Sequence, residues 1–288
     1  MKTENAIAII GGSGLDQLPG FHQEEELFLE TPFGAPSDVI RGGEFQDRSL
    51  YFLPRHGRGH RIAPHEINHR ANLYALRSLG VRWILSVTAV GSLQERHRPR
   101  EVVLIDQFFD RMSGRADHTF FGNGIVAHVS LADPICPELR ACLAEACRKT
   151  GAAFHDGGTY VNMDGPAFST RAESETYRQL GFDVIGMTNF PEAKLAREAE
   201  MSLATLAMVT DYDCWKTGEA PVTAGAIYAH LQANAETARA VIAEALPLIP
   251  RTPDWPAHRS LENALATPRN YWPEKTVQNL SVILSRFV

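Results

Sequence analysis

The stretch Ala6-Ile7-Ala8-Ile9-Ile10-Gly11-Gly12-Ser13-Gly14-Leu15 decides the reading of the fold, because an apolar run rich in β-branched isoleucine passes directly into glycines. A short apolar run bounded by turn residues suits a buried strand, and small residues after it suit a tight turn. The same grammar recurs at Leu50 to Leu53, Trp83 to Val87, Val102 to Ile105, Thr159 to Met163 and Leu203 to Val209. Helical patterns fall between and after these runs. The clearest cover Glu66 to Leu79, Pro137 to Lys149 with proline in the first turn, Thr170 to Leu180 and Pro191 to Glu198, with a long one across Thr223 to Leu246. Interleaved strands and helices predict an α/β fold, in which strand ends and the loops after them carry ligand groups.

The composition fits a globular protein with a large core: 288 residues, 44% hydrophobic and 22% charged. One large domain or two small ones would suit that length. A formal net charge of -6, with Lys and Arg scattered, supplies no basic footprint for nucleic acid and directs attention to a small-molecule partner. Ile7 to Ile10 is too short for a secretory or membrane segment and no other stretch approaches membrane length, so the expectation is a cytoplasmic protein without membrane association. Cys136, Cys142, Cys147 and Cys214 show no CxxC spacing. Cys142 shares a helical stripe with Leu139, Leu143 and Ala146, so buried free thiols in a reducing compartment are expected. The tail beyond the proline-rich Pro247 to Pro256, at about 250 to 288, is too short for an independent domain. It reads as a helical appendage on the body or on a neighbouring subunit.

Three polar clusters follow predicted strands. Gly11 to Leu15 offers backbone amides and the Ser13 hydroxyl, but lacks the third glycine of a dinucleotide fingerprint and the lysine of a P-loop. Arg55-His56-Gly57-Arg58-Gly59-His60 concentrates cationic donors, and arginine can grip phosphate through two parallel hydrogen bonds. Thr88-Ala89-Val90-Gly91-Ser92 adds a hydroxyl and further amides. Each alone is an ordinary strand end or solvated turn. Together they describe an anion site. His65-Glu66-Ile67-Asn68-His69 matches the HExxH pattern of zinc proteases, with both histidines on one face if the segment is helical. No third ligand follows it and Pro64 puts His65 at a helix start, so no metal is expected. Thr210-Asp211-Tyr212-Asp213-Cys214-Trp215 ends the run Leu203 to Val209, and in extended geometry Asp211 and Asp213 point the same way. Paired carboxyls raise each other's proton affinity, leaving one as a general acid and the other as a hydrogen-bond acceptor.

In order along the chain stand GGSGL, TPFGAPSD (Thr31 to Asp38), RHGRGHR (Arg55 to Arg61), TAVGSL (Thr88 to Leu93), IDQFFDR (Ile105 to Arg111), GPAFSTRAES (Gly165 to Ser174), MTNFPE (Met187 to Glu192) and TDYDCW. This ordered set resembles the 5'-methylthioadenosine phosphorylases of the trimeric purine nucleoside phosphorylase superfamily, from about Ile7 to about Trp215. The resemblance implies a single α/β domain with a central mixed β-sheet flanked by helices. It implies phosphorolysis of 5'-methylthioadenosine with inorganic phosphate as co-substrate, no cofactor, and a homotrimer or dimer of trimers. By the same resemblance Ser13, Arg55, His56, Thr88, Ala89 and Thr188 cradle phosphate, and Met187 packs under the ribose. Phe168 and Ser169 line the base site, Asp211 and Asp213 face N7 and the 6-amino group, and His128 reaches a neighbouring subunit's pocket.

By the same resemblance Asp211, Asp213 and Ser169 favour a 6-aminopurine, since relatives that take 6-oxopurines carry asparagine near the carboxyl pair and glutamate where Ser169 stands. Ala224 stands where the family often has a larger aliphatic residue, and Leu280 is a candidate for a pocket shared between subunits. Rival readings are an enzyme of the same fold acting on methylthioinosine, inosine, guanosine or adenosine, a non-catalytic nucleoside-binding protein, and a Rossmann oxidoreductase that the missing third glycine disfavours.

Overall fold

The computed structural model describes residues 5–12, 14–15, 17–114, 116–216 and 224–288, with side chains in the helix at 224–245 described from residue 233 onward. Among the described residues, eleven strands form one mixed sheet: β1 Ala6–Gly11, β2 His22–Leu27, β3 Ile40–Phe45, β4 Arg48–Pro54, β5 Val81–Ser92, β6 Val102–Leu104, β7 Gln107–Asp110, β8 Phe154–Asp156, β9 Thr159–Asn162, β10 Val184–Gly186 and β11 Ser202–Asp211. Helices flank it, among the described residues α1 His69–Ser78, α2 Pro137–Thr150, α3 Arg171–Gln179, α4 Asn189–Glu198, α5 Ala224–Ala245 and α6 Glu274–Asn279. The expected mixed-sheet α/β domain is what the chain adopts.

β1 is buried along its whole length between parallel neighbours β4 and β5. A strand covered on both faces gains nothing from alternation, and this is why its sequence is continuously apolar. β5 organises the sheet. Its first part runs parallel to β1 and to β11, in register from Ser202↔Trp83 to Val209↔Val90, and its last residues pair antiparallel with β10 at Val184↔Ser92 and Ile185↔Gly91. The helices α2 and α5 pack on each other and on β11, while α1 packs on α4. Ile7, Ile9, Leu53, Trp83, Leu139, Leu143, Leu206 and Ile242 are all fully enclosed in the resulting core.

The predicted helix at Glu66 to Leu79 starts later than its apolar pattern suggested. Pro64–Glu66 is a separate 3-10 turn, Ile67 is extended, and α1 begins at His69. Asn68 is the cause: its side chain accepts the Ala71 amide hydrogen at 3.1 Å and caps the new helix. The two histidines of the HExxH pattern therefore lie on different elements, His65 exposed and His69 enclosed. α2 begins with Pro137 and ends at Gly151, whose φ of 71° supplies the left-handed cap. Thr170 caps α3 through a reciprocal pair with Glu173. Cys136 and Cys147 are buried free thiols, whereas Cys142 and Cys214 are half-buried.

The tail contains two 3-10 turns, Pro256–Arg259 and Arg269–Tyr271, and then α6. Leu280, Ile283 and Leu284 enter the core of their own chain, and Arg286 forms a two-pronged pair with the buried Glu200 at 2.6 and 3.0 Å. Leu280 is only 1% exposed, so the expectation that it lines a pocket across subunits fails: its side chain is already spent inside this one. The tail also holds the segment before α2, with the His128 amide donating to the Ala264 carbonyl at 2.8 Å and Thr276 donating to the Asn123 carbonyl at 2.7 Å. Among the described residues no helix is long and apolar enough to cross a membrane.

Candidate active site

Because β1, β4, β5 and β11 run parallel, their carboxyl ends open on one side of the sheet, the usual place for ligand groups in an α/β fold. The anion-friendly clusters meet there. The Arg55 amide donates to the Gly11 carbonyl at 2.9 Å, joining the loop after β4 to the end of β1, and Arg55 Nη1 donates to the Val87 carbonyl on β5 at 2.9 Å. Ser13 lies outside the described residues.

Arg55 is buried and paired with Glu192 in the first turn of α4. Its Nε donates to Glu192 Oε1, and its Nη2 donates to Glu192 Oε2 at 3.0 Å and to Ser86 Oγ at 2.8 Å. Four of the guanidinium's five donors are thereby committed, leaving one on Nη1. Behind the pair, Ser86 Oγ donates to Glu192 at 2.7 Å, Asn189 Nδ2 donates to Ser86 Oγ at 2.8 Å, and Thr205 Oγ1 donates to Asn189 Oδ1 at 2.7 Å. Burial opposes ionisation of Glu192, but the adjacent Arg55 charge outweighs it and holds the carboxyl below its usual range. The free two-pronged arginine grip suggested by the sequence is thus replaced by a fixed charge with one open donor.

His56 follows on the same loop, half-buried, stacked on His60 with ring centroids 4.2 Å apart. Its Nδ1 donates to the Ile62 carbonyl at 2.9 Å, which leaves Nε2 as the acceptor of the neutral ring. Burial, with the Arg55 charge second, pushes its pKa down to about 4. His69 is enclosed, with neither ring nitrogen partnered among the described residues, and burial pushes it down to about 3. His258 in the tail is lowered to about 4, again chiefly by burial. A histidine whose folded pKa lies below its unfolded value of about 6.5 contributes stability above that value and loses it as pH falls towards the folded pKa. Burial raises Glu198 to about 7 and lifts Asp213 above its usual range, which gives the opposite slope, but from two groups against three. The urea midpoint should therefore drop measurably between pH 7 and pH 5, and equal midpoints would contradict neutral, enclosed histidines.

Thr88 is buried in the second half of β5, Ala89 beside it is exposed, and Thr188 precedes α4 as its capping position. The enclosed Tyr160 hydroxyl lies beside the Thr88 side chain and the Thr188 backbone, which brings these two threonines into one neighbourhood with Arg55 and Glu192. The N-terminus of α4 points its partial positive charge into the same place. Met187 packs on Gly165, whose φ is +69° and where a Cβ would stand 2.5 Å from the Met187 sulfur.

The carboxyl pair is built differently from its sequence reading. Asp213 is not extended: it has φ of 51° and opens a 3-10 turn, Asp213–Trp215. The side chains are brought together by that turn, in which the Asp213 amide donates to Asp211 Oδ1 at 2.7 Å. Gly91 forms the floor beneath them. A Cβ there would lie 3.1 Å from Asp211 Oδ1, tight enough that the carboxyl would have to give slightly, and 3.4 Å from Asp213 Cβ, an ordinary contact. Ser174, fully buried on α3, donates to Asp213 Oδ2 at 2.5 Å. Burial raises the proton affinity of Asp213, the Ser174 hydrogen bond lowers it, and the Asp211 charge raises it again, so the carboxyl stands above its usual range. Ser169 joins this end of the site through its carbonyl, which accepts from Cys214 Sγ at 3.3 Å. Phe168 next to it keeps 46% of its surface exposed.

His128 is not in this group; it is exposed and tied to the tail. Glu192, Ser86, Asn189, Thr205 and Ser174 are site residues that motif reading left without a role. A sequence signal for the first existed but was not used: a glutamate on the side of a helix that packs on the core needs a buried cation.

Residues 6–247 match the phosphorylase superfamily. An S-methyl-5'-thioadenosine phosphorylase of Geobacter sulfurreducens is 47% identical over 99% of this chain and 100% of its own length. The crystal structure of a methylthioadenosine phosphorylase from an Antarctic soil metagenomic library is 48% identical, covers 98% of this chain and 99% of its own, and superposes with a TM-score of 0.92. A mutant adenosine/methylthioadenosine phosphorylase of Schistosoma mansoni, solved with methylthioadenosine, is 35% identical with 98% of each chain covered and a TM-score of 0.82. The sheet, the open side that gathers the anion and carboxyl clusters, and these full-length matches agree: the chain belongs to the phosphorylase superfamily.

Proposed function

We propose that this chain catalyses phosphorolysis of 5'-methylthioadenosine to adenine and 5-methylthioribose 1-phosphate. The observation that carries the reading is the placement on β5 of both halves of the chemistry, with Thr88 beside the Arg55–Glu192 pair and Gly91, three residues on, beneath Asp211 and Asp213. Phosphate would sit among Ser13, Arg55, His56, Thr88, Ala89 and Thr188, with the Arg55 charge fixed in advance and the neutral His56 Nε2 accepting a phosphate O–H. Met187 would lie under the ribose, and Phe168 and Ser169 along the base.

In the reaction a phosphate oxygen forms a bond to C1' while the C1'–N9 bond breaks and its electron pair leaves with the purine. Positive charge grows on the sugar and negative charge on the base. The anion below the ring offsets the first, and a proton passed from the carboxyl pair to N7 offsets the second. The other carboxyl accepts from the 6-amino group, which favours adenine over 6-oxopurines. His128 would serve a neighbouring subunit in a homotrimer or dimer of trimers, acting in the cytoplasm with no cofactor or metal.

A nucleoside panel with and without phosphate tests the reading. Adenine release from methylthioadenosine that requires phosphate is the expected result, with adenosine as the comparison that Ala224 motivates. Faster release of hypoxanthine, or release without phosphate, would overturn it.

A further inference from the structure

Asp211 has to be stable both with and without its proton, and the residue before it is arranged to serve both states. β11 pairs residue for residue with β5 as far as Val209↔Val90 and then resumes at Asp211↔Gly91, so Thr210 is the extra residue of a bulge. Bulges beside active sites re-aim side chains. Here the bulge leaves the Thr210 hydroxyl, 3% exposed, between two acceptors: Asp211 Oδ2 at 2.7 Å and the Val90 carbonyl at 3.2 Å. A hydroxyl has one hydrogen to give and two lone pairs.

We infer that Thr210 is a positioning residue that partners Asp211 in both protonation states, accepting from the protonated carboxyl while donating to Val90, and turning to donate to the carboxylate once the proton has left. This rests on the reading of Asp211 as the proton donor. Asp211 Oδ1 already accepts the Asp213 amide hydrogen whatever the state of the proton. Oδ2 is therefore the oxygen whose partner must change. The carboxyl O–H swings about its C–O bond from Thr210 to N7; as the proton passes to N7 and the C1'–N9 electrons leave with the base, charge develops on Asp211, and the rotating hydroxyl answers it without backbone movement. Among the described residues, the ionisable groups acting on Asp213 and its turn include Asp211 and Cys214 beside it and Glu173 and Arg171 on α3, while Gly91 and Val90 on β5 contribute none.

Thr210→Val removes the hydroxyl and keeps the β-branched shape. Expected are a kcat reduced at least about tenfold, an unchanged KM for phosphate, and an alkaline limb of kcat/KM moved to higher pH, because the carboxylate has lost its charge-assisted donor. Thr210→Ser should restore both kcat and the limb. Wild-type kcat and limb in Thr210→Val would overturn the inference. So would equal losses in the Val and Ser variants with no movement of the limb, which is the signature of packing alone. Should the Val variant not fold, Thr210→Ala is read the same way. Asp211→Asn in parallel separates the two ideas: if it retains turnover, the proton-donor reading fails, whereas an inactive Asp211→Asn beside an unaffected Thr210→Val removes only the inference.

Discussion

Asp211→Asn should lower turnover by about 10²-fold to 10⁴-fold, the usual contribution of a positioned general acid, with phosphate binding retained. The substitution suits the question because the site tolerates its shape. Asp211 accepts on Oδ1 from the Asp213 amide and on Oδ2 from Thr210. An asparagine can keep its oxygen towards the amide and turn its NH2 towards Thr210, whose own hydrogen then goes to the Val90 carbonyl. Folding is little disturbed, and what is lost is the transferable proton. Rates of adenine release with phosphate binding measured alongside would decide it. Turnover within tenfold of wild type would remove Asp211 from the role of acid.

The second large effect is expected at the Arg55–Glu192 pair, and it concerns stability as much as activity. Replacing either partner with alanine leaves a buried, uncompensated charge, at a cost of about 3–5 kcal/mol. Arg55→Ala should also weaken the use of phosphate, so an activity loss alone would confuse misfolding with a missing ligand. The double substitution Arg55→Met, Glu192→Leu separates them. Removing both charges together should recover much of the denaturation midpoint lost in either single variant, while phosphate dependence stays impaired. A double variant with normal phosphate dependence would mean that the Arg55 charge acts only on the fold. A double variant no more stable than the singles would mean that Ser86, Asn189 and Thr205, left without their carboxylate, dominate the cost.

The strands that sequence made legible are those buried on both faces. Ala6 to Ile10 and Leu203 to Val209 announce themselves because they are buried along the middle of the sheet, β1 between parallel β4 and β5, β11 between parallel β5 and antiparallel β6. β2 does not, since His22–Leu27 is an exposed run of charged residues whose strand character comes from pairing with β3, and charge suits an edge that must not pair further. β3 is hidden by Gly42 and Gly43, which lower strand propensity while admitting close neighbours. At the site, residue types were legible and geometry was not. Asp211 and Asp213 stood out as a pair, but their meeting depends on a positive φ at Asp213 and a bulge at Thr210, neither of which spacing reveals. Arg55 stood out as an anion ligand, but its partner lies 137 residues away, and only the packing of α4 against the sheet brings Glu192 to it.

β5 has one more consequence. Thr88 and Gly91 belong to one strand, and three residues of extended chain span about 10 Å, the scale of a nucleoside from its sugar to the far edge of its base. The strand works as a ruler, cut once by the sheet and shared by both ends of the substrate. Its parallel neighbours hold it in register from Trp83 onward, so neither end is able to drift without the other. Inserting a single residue between Ala89 and Gly91 would lengthen the ruler by about 3.3 Å and turn its far end to the opposite face, uncoupling departure of the base from attack by the anion while leaving each cluster intact.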